Sequence, residues 1–471
     1  MQIAAIGGKD SMSGSYNELD VPPTLVSFCV GTIDTNKVVS NEFKKQGSNV
    51  VFLETKLDED NLPDFEDLKE NYNLVHEWIT EGKVLSVSTI KHGGIADAIT
   101  KMCIGNKIGF QFDSFDKNVF YPYYGSFVIE LKEEVNSDKL QVLGKTIEDE
   151  QIIVNEDVKL ELEELIQVWE EPLEKVFPTK VKIEERPLEN ILSDKSSILI
   201  AKNKIAKPKV LIPVFPGTNC EYDLTKAFED AGGEVVTTVF KNLKPKDIEE
   251  SIEEIAKQIN EAQIIMLPGG FSAGDEPDGS GKFIATVFRN PKIKEAVHKH
   301  LYEQDGLMLG ICNGFQALIK LGLLPYGKIM DMEEGMPTLT YNDIARHQSM
   351  IVPTKVVSKL SPWFKEVELG EEFMIPISHG EGKFVASEEV MRQLIENGQV
   401  ATQYVDLQGN ATYDIRYNPN GSIYAVEGIT SPDGRILGKM GHSERCYTDV
   451  IRNVPGNKDQ KLFESGINYF K

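Results

Sequence analysis

The pattern GICNG at residues 310–314 is the strongest chemical signal in the sequence. A nucleophile set between small residues, after an apolar strand and before a helix, has the form of a nucleophile elbow. The start of the following helix favours the thiolate form of Cys312, and the N–H of Asn313 is placed to stabilise an oxyanion. A second donor is expected at Gly270 in the PGGF turn. The pattern predicts nucleophilic chemistry at Cys312, the alternative being a buried structural thiol.

A cysteine nucleophile needs a base, and the base needs an orienting partner. His442 and Glu444 follow the apolar strand RILGKM, and residues two apart on an extended segment point to the same side. Glu444 is therefore expected to hold the His442 imidazole, the alternative being a surface-loop histidine. His379 in ISHGEGKF is the rival base, and its glycine neighbours suit a residue lining a substrate pocket equally well. The other five of the seven histidines lie in helical or polar contexts typical of structural or surface roles.

A second polar cluster lies in GGKDSMSG near the start of the chain. Its glycines free backbone N–H groups, Asp10 offers a hard oxygen ligand suited to Mg²⁺, and Ser11 and Ser13 offer hydroxyls. The segment is not a Walker A loop, because Asp10 stands where that motif requires Ser or Thr. Taken alone, it is typical of an ordinary glycine turn.

The elements that must position the cysteine are regular from residue 208 onward. Apolar strands such as VLIPVF, QIIMLP and LMLGI alternate with helical segments, which indicates βαβ units and a parallel, doubly wound (flavodoxin-like) sheet. Ligands bind at the carboxyl ends of the strands in such sheets, where the glycine-rich loops and Cys312 fall. The helices are expected to include 283–301 as one segment.

The rest of the chain divides into three regions. Residues 1–40 form short strands with too little apolar mass to fold alone. Residues 41–178 alternate strands and helices in a mixed α/β unit that ends in an acidic helix over 156–177. Residues 179–207 lose periodicity and are interpreted as a linker that lies against its neighbours. The fourth region, 208–471, carries the cysteine.

Composition limits the class of protein. The 471 residues carry 50 Lys+Arg against 74 Asp+Glu, a net charge of -24, which disfavours nucleic acid or a membrane surface as partners. Five cysteines without a CxxC pair fit neither a disulfide framework nor a structural zinc site. No apolar run has the length of a membrane helix, and the first residues lack the features of a signal peptide. A cytoplasmic protein of two or three domains is expected.

The segments PGGFSAGDE, GICNGFQALIKLG, SHGEG and GHSE occur in the order found in class I glutamine amidotransferases. They resemble in particular the glutaminase domains of the phosphoribosylformylglycinamidine synthases, over about residues 208–471. GGKDSMSGSYNELDVPPTLVSF resembles a segment of the synthetase portion of the same family, which is related in fold to aminoimidazole ribonucleotide synthetase. Residues 1–40 and 41–178 then correspond to part of its ATP-binding domain and to its C-terminal α/β domain.

The resemblance implies roles for individual residues. Cys312 would form a glutamyl thioester, His442 would be the base and Glu444 its orienter, while Gln316, His379 and Glu381 would line the glutamine pocket. Asp10 would bind Mg²⁺, and Ser11 and Ser13 would contact ATP. Relatives commonly carry proline between the His and Glu, where this chain has Ser443.

The activity implied is glutamine- and ATP-dependent conversion of formylglycinamide ribonucleotide to its amidine, with ammonia passing between two sites along a dry path. The glutaminase half would be complete and the synthetase half partial, so the partners would include the N-terminal synthetase portion. Two other hypotheses stay open at this point. One is a different cysteine hydrolase on the same scaffold, and the other is a non-catalytic scaffold fragment.

Overall fold

The computed structural model describes residues 5–10, 14–182, 186–196, 200–272, 281–447 and 450–471. The chain forms two compact units, Met1–Val176 and Phe177–Lys471. In the described part of the chain, no helix combines the length and the apolar character needed to cross a membrane.

The first unit is built mainly from antiparallel strands. Its elements are β1 (Gly7–Asp10), β2 (Gly14–Tyr16), β3 (Leu19–Val21), β4 (Leu25–Phe28), β5 (Asn49–Leu53), α1 (Phe65–Thr80), β6 (Val84–Thr89), α2 (Gly94–Asn106), β7 (Gly109–Phe112), β8 (Phe127–Leu131), β9 (Leu140–Ile147), β10 (Gln151–Ile153), β11 (Lys159–Glu161) and α3 (Leu162–Glu174). Seven strands form one sheet in the order β11-β10-β7-β9-β5-β8-β6, in which only β7 and β10 pair in parallel. Strand β1 pairs with β4, and β2 pairs with β3.

Helix α1 shows how the sequence sets these elements. The carboxylate of Asp64 accepts hydrogen bonds from the N–H groups of Glu66 and Asp67 at its start, as an N-cap does. Its buried side chains include Leu68, Val75 and others at helical spacing, so one face packs on the sheet. The acidic helix predicted over 156–177 is wrong in its first part. Residues 159–161 pair with β10 as a strand, and the helix begins at Leu162.

The second unit contains a larger mixed sheet. Its elements are β12 (Ser193–Ser196), β13 (Lys209–Val214), α4 (Glu221–Asp230), β14 (Glu234–Val239), α5 (Pro245–Glu261), β15 (Ile264–Leu267), α6 (Lys282–Phe288), α7 (Pro291–Tyr302), β16 (Leu307–Ile311), α8 (Asn313–Lys320), α9 (Leu323–Tyr326), β17 (Thr338–Thr340), β18 (Gln348–Val356), β19 (Ser358–Lys359), β20 (Glu372–His379), β21 (Lys383–Val385), α10 (Glu388–Asn397), β22 (Val400–Tyr404), β23 (Val426–Thr430), β24 (Ile436–Lys439) and α11 (Leu462–Tyr469).

The main sheet has the order β14-β13-β15-β16-β24-β23-β22-β18-β20. The first five strands are parallel, which confirms the doubly wound arrangement predicted for this region. Strands β15, β16 and β24 are buried throughout, as expected for parallel strands covered on both faces. The last four strands are antiparallel and extend the sheet, a feature that the sequence analysis did not predict.

Two segments differ from the predicted elements. The helix expected over 283–301 is two helices, because Asn290 caps a new helix that begins with Pro291. Residues 179–207, predicted to be a linker, contribute strand β12, which pairs with β19, and the N–H of Ile191 donates to Oε1 of Gln403. The described part of this segment is therefore integrated into the second unit.

Candidate functional site

The strand–turn–helix predicted around Cys312 is present in the second unit. Cys312 lies between β16 and α8 with φ 52° and ψ −106°, a backbone conformation that costs a non-glycine residue about 1–3 kcal/mol. A β-carbon on Gly314 would lie 2.0 Å from the carbonyl oxygen of Leu267, so only glycine fits there. The thiol is 6% exposed, with its sulfur 3.7 Å from the carbonyl oxygen of Ser378.

His442 and Glu444 form a buried pair. The Nδ1 of His442 lies 2.6 Å from Oε1 of Glu444, and the two residues are 2% and 1% exposed. The extended segment expected here is absent, because Ser443–Arg445 forms a 3₁₀ turn that brings the two side chains together instead. Within the described residues, Nε2 of His442 has no hydrogen-bond partner.

The electrostatics of the pair favour a charged imidazole. Burial has the largest single effect on the pKa of His442 and acts to lower it, but the raising effects together outweigh it, first among them the negative charge of Glu444. The neighbouring sulfurs of Cys220 and Cys312 act in the same direction as Glu444. The pKa of His442 is therefore raised well above its ordinary value. Such a group can hold a proton beside a thiolate.

Gly269 shows that Cys312 and the imidazole of His442 lie close together. A β-carbon at this position would lie 2.9 Å from Cε1 of His442 and 3.6 Å from Cβ of Cys312. The turn after β15 and the segments that follow β16 and β24 therefore meet at one edge of the sheet. That edge is where ligands bind in parallel α/β sheets.

Three predicted site residues are joined by hydrogen bonds next to Cys312. Nδ2 of Asn313 donates to Oε1 of Gln316 at 3.0 Å, and Nε2 of Gln316 donates to the carbonyl oxygen of Glu381 at 2.6 Å. Oδ1 of Asn313 also accepts from the N–H of Ser272 at 3.3 Å. The predicted residues Asn313, Gln316 and Glu381 thus form one connected wall, and all three are buried.

Gly270 adopts a φ of 131°, in the region that favours glycine. A β-carbon there would lie 2.7 Å from the carbonyl oxygen of Gly217, in the turn that follows β13. The PGGF turn therefore packs tightly against a neighbouring loop. This close packing fixes the backbone expected to supply the second oxyanion donor.

His379 ends strand β20 and is 2% exposed. Its Nδ1 lies 3.2 Å from Oδ1 of Asn342, whose Nδ2 donates to the carbonyl oxygen of His379. Burial, together with repulsion from His442 and His347, lowers the pKa of His379 to about 3. A neutral imidazole with so low a pKa is poorly matched to proton transfer near pH 7. Its position suits contact with a ligand better.

Cys220 is a neighbour of the pair that the sequence analysis missed. It precedes α4, and its sulfur lies 3.9 Å from Nδ1 of His442 and 3.2 Å from Nη2 of Arg445. Ligand atoms of Cys220, His442 and Glu444 lie within 4.8 Å of one another, a set of types that can hold a metal ion. The guanidinium of Arg445, which also pairs with Asp223, opposes the binding of a metal cation at this set. No local sequence pattern marks Cys220, since His442 and Arg445 lie more than 220 residues away in the chain.

Most of the second predicted site, in GGKDSMSG, lies outside the residues that the structure describes. Ser11 and Ser13 lie outside the described residues, and so does the side chain of Asp10. The backbone of Asp10 ends strand β1, paired with Leu25 of β4. The magnesium and ATP contacts expected at these residues stay predictions.

Comparison with known proteins gives a family for the second unit. Residues 207–470 match the CobB/CobQ-like glutamine amidotransferase domain. Over 249 residues the chain is 32% identical to phosphoribosylformylglycinamidine synthase subunit PurQ of Aquifex aeolicus, covering 53% of this chain and 95% of that subunit. The PurQ subunit of Methanococcus maripaludis strain C5 is 36% identical over 246 residues, covering 52% of this chain and 85% of its own.

Among solved structures, one described as PurLQS from Thermotoga maritima is 29% identical and covers 56% of this chain and all of its own, with a TM-score of 0.41. The chain belongs to the CobB/CobQ-like glutamine amidotransferase family, and residues 207–470 are the glutamine amidotransferase portion of a phosphoribosylformylglycinamidine synthase of purine biosynthesis.

Proposed function

We propose that the second unit hydrolyses glutamine through Cys312, His442 and Glu444 and supplies the ammonia to a synthetase. The observation that carries this proposal is the strained turn at Cys312 beside the buried His442–Glu444 pair. A nucleophile, a base and an orienting carboxylate in that relation form the minimal apparatus for acyl transfer.

In the proposed reaction, the Cys312 thiolate attacks the side-chain amide carbon of glutamine. The tetrahedral intermediate collapses when His442 donates its proton to the departing nitrogen, which releases ammonia and leaves a glutamyl thioester. His442 then removes a proton from water, the hydroxide attacks the thioester carbon, and glutamate leaves with Cys312 restored. Glu444 stabilises the positive charge on His442 in both steps.

The negative oxygen of each tetrahedral intermediate needs donors. The N–H of Asn313 begins helix α8, where the first-turn N–H groups have no acceptor within their own helix. We assign the oxyanion to this group and to the backbone of Gly270. The wall formed by Gln316 and Glu381 and the neutral imidazole of His379 would hold the remainder of the glutamine.

The ammonia would serve a synthetase reaction in which ATP activates the amide oxygen of formylglycinamide ribonucleotide and ammonia displaces the phosphate. The overall conversion would be that of EC 6.3.5.3, with an internal ammonia channel. Ammonia would be mostly protonated in water at neutral pH, so a sequestered path is needed. Asp10, Ser11 and Ser13 are proposed to contribute to Mg²⁺ and ATP binding together with a synthetase portion.

A covalent glutamine-analogue label followed by mass spectrometry tests the nucleophile. We expect one adduct on Cys312, and no adduct in Cys312→Ala. Cys220→Ala is the matched control, because it removes a buried thiol close to the same imidazole, and it should still be labelled. Label on another cysteine in the wild type would overturn the assignment of Cys312. Failure to label any cysteine, even with the synthetase partner present, would favour the non-catalytic scaffold.

The nucleotide site has its own test. Asp10→Asn should weaken Mg²⁺-dependent ATP binding when the chain is assayed with a complete synthetase portion, since an amide is a poorer ligand for Mg²⁺ than a carboxylate. Asp20→Asn is a control in the same region. Unchanged binding in Asp10→Asn would leave GGKDS as a structural turn.

A further inference from the structure

Lys439 is a fully buried lysine at the end of β24, and its side chain turns back toward the chain around His442. Its Nζ donates to the carbonyl oxygen of Gly441 at 3.0 Å and to Oγ of Ser443 at 3.0 Å, and lies 3.3 Å from Oε1 of Glu427. The ammonium therefore binds the residues immediately before and after the imidazole. Lys439 and Glu427 are both 0% exposed.

Glu427 lies on the adjacent strand β23, and both of its carboxylate oxygens accept hydrogen bonds. Oε1 accepts the N–H of Gly441 at 2.7 Å, and Oε2 accepts the hydroxyl of Thr402. A β-carbon on Gly441 would lie 2.9 Å from Oε1 of Glu427 and 3.0 Å from Nζ of Lys439, so the backbone is packed directly on the ion pair. The pair thus fixes both the N–H and the carbonyl of residue 441.

The network continues past Ser443. The hydroxyl of Ser443 donates to Oε1 of Gln460 at 2.6 Å, and Nε2 of Gln460 donates to Oγ1 of Thr354 on β18 at 3.3 Å. Ser443 therefore bonds to Lys439 on one side and to Gln460 on the other. Both neighbours of His442 are held by side-chain hydrogen bonds.

The same lysine also contacts the nucleophile's backbone. The carbonyl oxygen of Lys439 accepts the N–H of Cys312 at 2.9 Å. Lys439 is thus bonded through its backbone to Cys312. Its side chain is bonded to Gly441 and Ser443, which flank His442 in the sequence. Burying two charges offers little net stability, because desolvation offsets their attraction.

We propose that Lys439, together with Glu427, is a positioning residue that sets the His442–Glu444 pair relative to Cys312. This inference rests on the proposed function, and it adds a residue that never touches substrate. Without the ammonium, Gly441 and Ser443 lose their shared donor, and the 3₁₀ turn carrying the pair is free to shift. A displacement of about 1 Å in such a site can cost roughly 100-fold in rate.

The first experiment is Lys439→Met, measured as glutamine hydrolysis in the presence of the synthetase partner. We expect kcat to fall by roughly 100-fold with KM for glutamine unchanged, since the pocket residues keep their own contacts. Lys359→Met is the matched control. Lys359 also donates to backbone carbonyls, those of Phe364 and Val367, but belongs to the short strand β19. Its loss should leave kcat unchanged.

Lys439→Met alone leaves the Glu427 carboxylate buried without its cation, which can destabilise the fold. The double variant Lys439→Met/Glu427→Gln removes both charges and should recover most of the stability. The positioning role predicts that kcat stays low in this folded double variant. Ser443→Ala should lower kcat alone and add little in the Lys439→Met background, because both changes break the same contact.

A second readout does not require turnover. The Nδ1 proton shared by His442 and Glu444 should give a low-field NMR signal in the wild type and in Lys359→Met, and it should weaken or move in the folded double variant. A double variant with wild-type kcat and an unchanged signal would overturn the inference. If glutamine is not hydrolysed by the wild type, the proposed function fails, and the NMR comparison still decides whether Lys439 positions the pair.

Discussion

Gly269 leaves the space that the imidazole of His442 fills, since a β-carbon at residue 269 would lie 2.9 Å from Cε1 of that ring. The same β-carbon would lie 2.9 Å from the sulfur of Cys220. Real β-carbons do not approach other heavy atoms so closely, so the imidazole or the turn after β15 would have to move. The geometry of the proposed base therefore depends on a residue with no functional group.

Gly269→Ala should lower kcat for glutamine by roughly 100-fold, because the added methyl displaces the base. Gly31→Ala is the control, since a β-carbon there meets nothing within 4 Å. Steady-state glutaminase kinetics on both variants check the prediction. Full activity in Gly269→Ala would mean that the base tolerates a shift of its ring.

His379 and His442, the two buried histidines of the candidate site, should differ in their effects on the kinetics. His442→Ala should abolish glutamine hydrolysis, because it removes the group that transfers the proton. His379→Ala should chiefly raise KM, since a group with a pKa of about 3 stays neutral during turnover and lines the pocket. Measuring kcat and KM for both variants checks this, and the reverse pattern would exchange the two roles.

Gln316→Glu should raise KM for glutamine by roughly tenfold, because an ionised side chain loses the N–H donor that holds the carbonyl of Glu381. Gln399→Glu is a matched control. Gln399 is also buried and donates to two carbonyls, those of Pro325 and Thr430. Gln399→Glu should lower stability while keeping the KM of the wild type. A similar rise in KM in Gln316→Glu and Gln399→Glu would mean that a buried carboxylate disturbs glutamine binding wherever it is placed.

His300 should make the stability of the second unit depend on pH. Burial lowers its pKa from the ordinary 6.5 to about 4, so the unfolded chain binds a proton in this range that the folded chain does not. The neutral, buried imidazole therefore contributes to the free energy of unfolding in full above pH 6.5. This contribution is lost as the pH falls toward 4, by up to about 3 kcal/mol.

Urea unfolding of the wild type and His300→Gln at pH 7.5 and pH 5 checks the sign. The wild type should lose more unfolding free energy on acidification than the variant, because only the wild type carries this imidazole. Parallel losses in the two proteins would show that other groups account for the acid sensitivity.

The parallel strands were predictable from short windows of sequence. Apolar runs such as 307–311, followed by glycine turns and amphipathic helices, fix strand, turn and helix locally. The pairing of β18, β20, β22 and β23 was not predictable, because antiparallel partners so far apart leave no local signal. The antiparallel half of the sheet therefore appears only in the structure.

The residues of the candidate site also divide into those that have a local sequence signal and those that have none. Cys312, His442 and Glu444 could be singled out as candidates because each lies in a compact pattern of residue types. Cys220 and Glu427 were not found, because their significance lies in contacts with residues distant in the chain or on another strand. The sequence analysis did not single out Lys439 either, although a lysine that ends an otherwise apolar strand is a local signal that could have indicated a buried ion pair.

The left-handed backbone at Cys312 sets activity against stability at a single position. Glycine adopts a φ of 52° without strain, whereas every other residue type at this position meets steric repulsion. Cys312→Gly should relieve this strain, whereas Cys312→Ala should keep it, and both substitutions remove the thiol. The backbone strain at residue 312 is thus tied to the side chain that the proposed reaction requires.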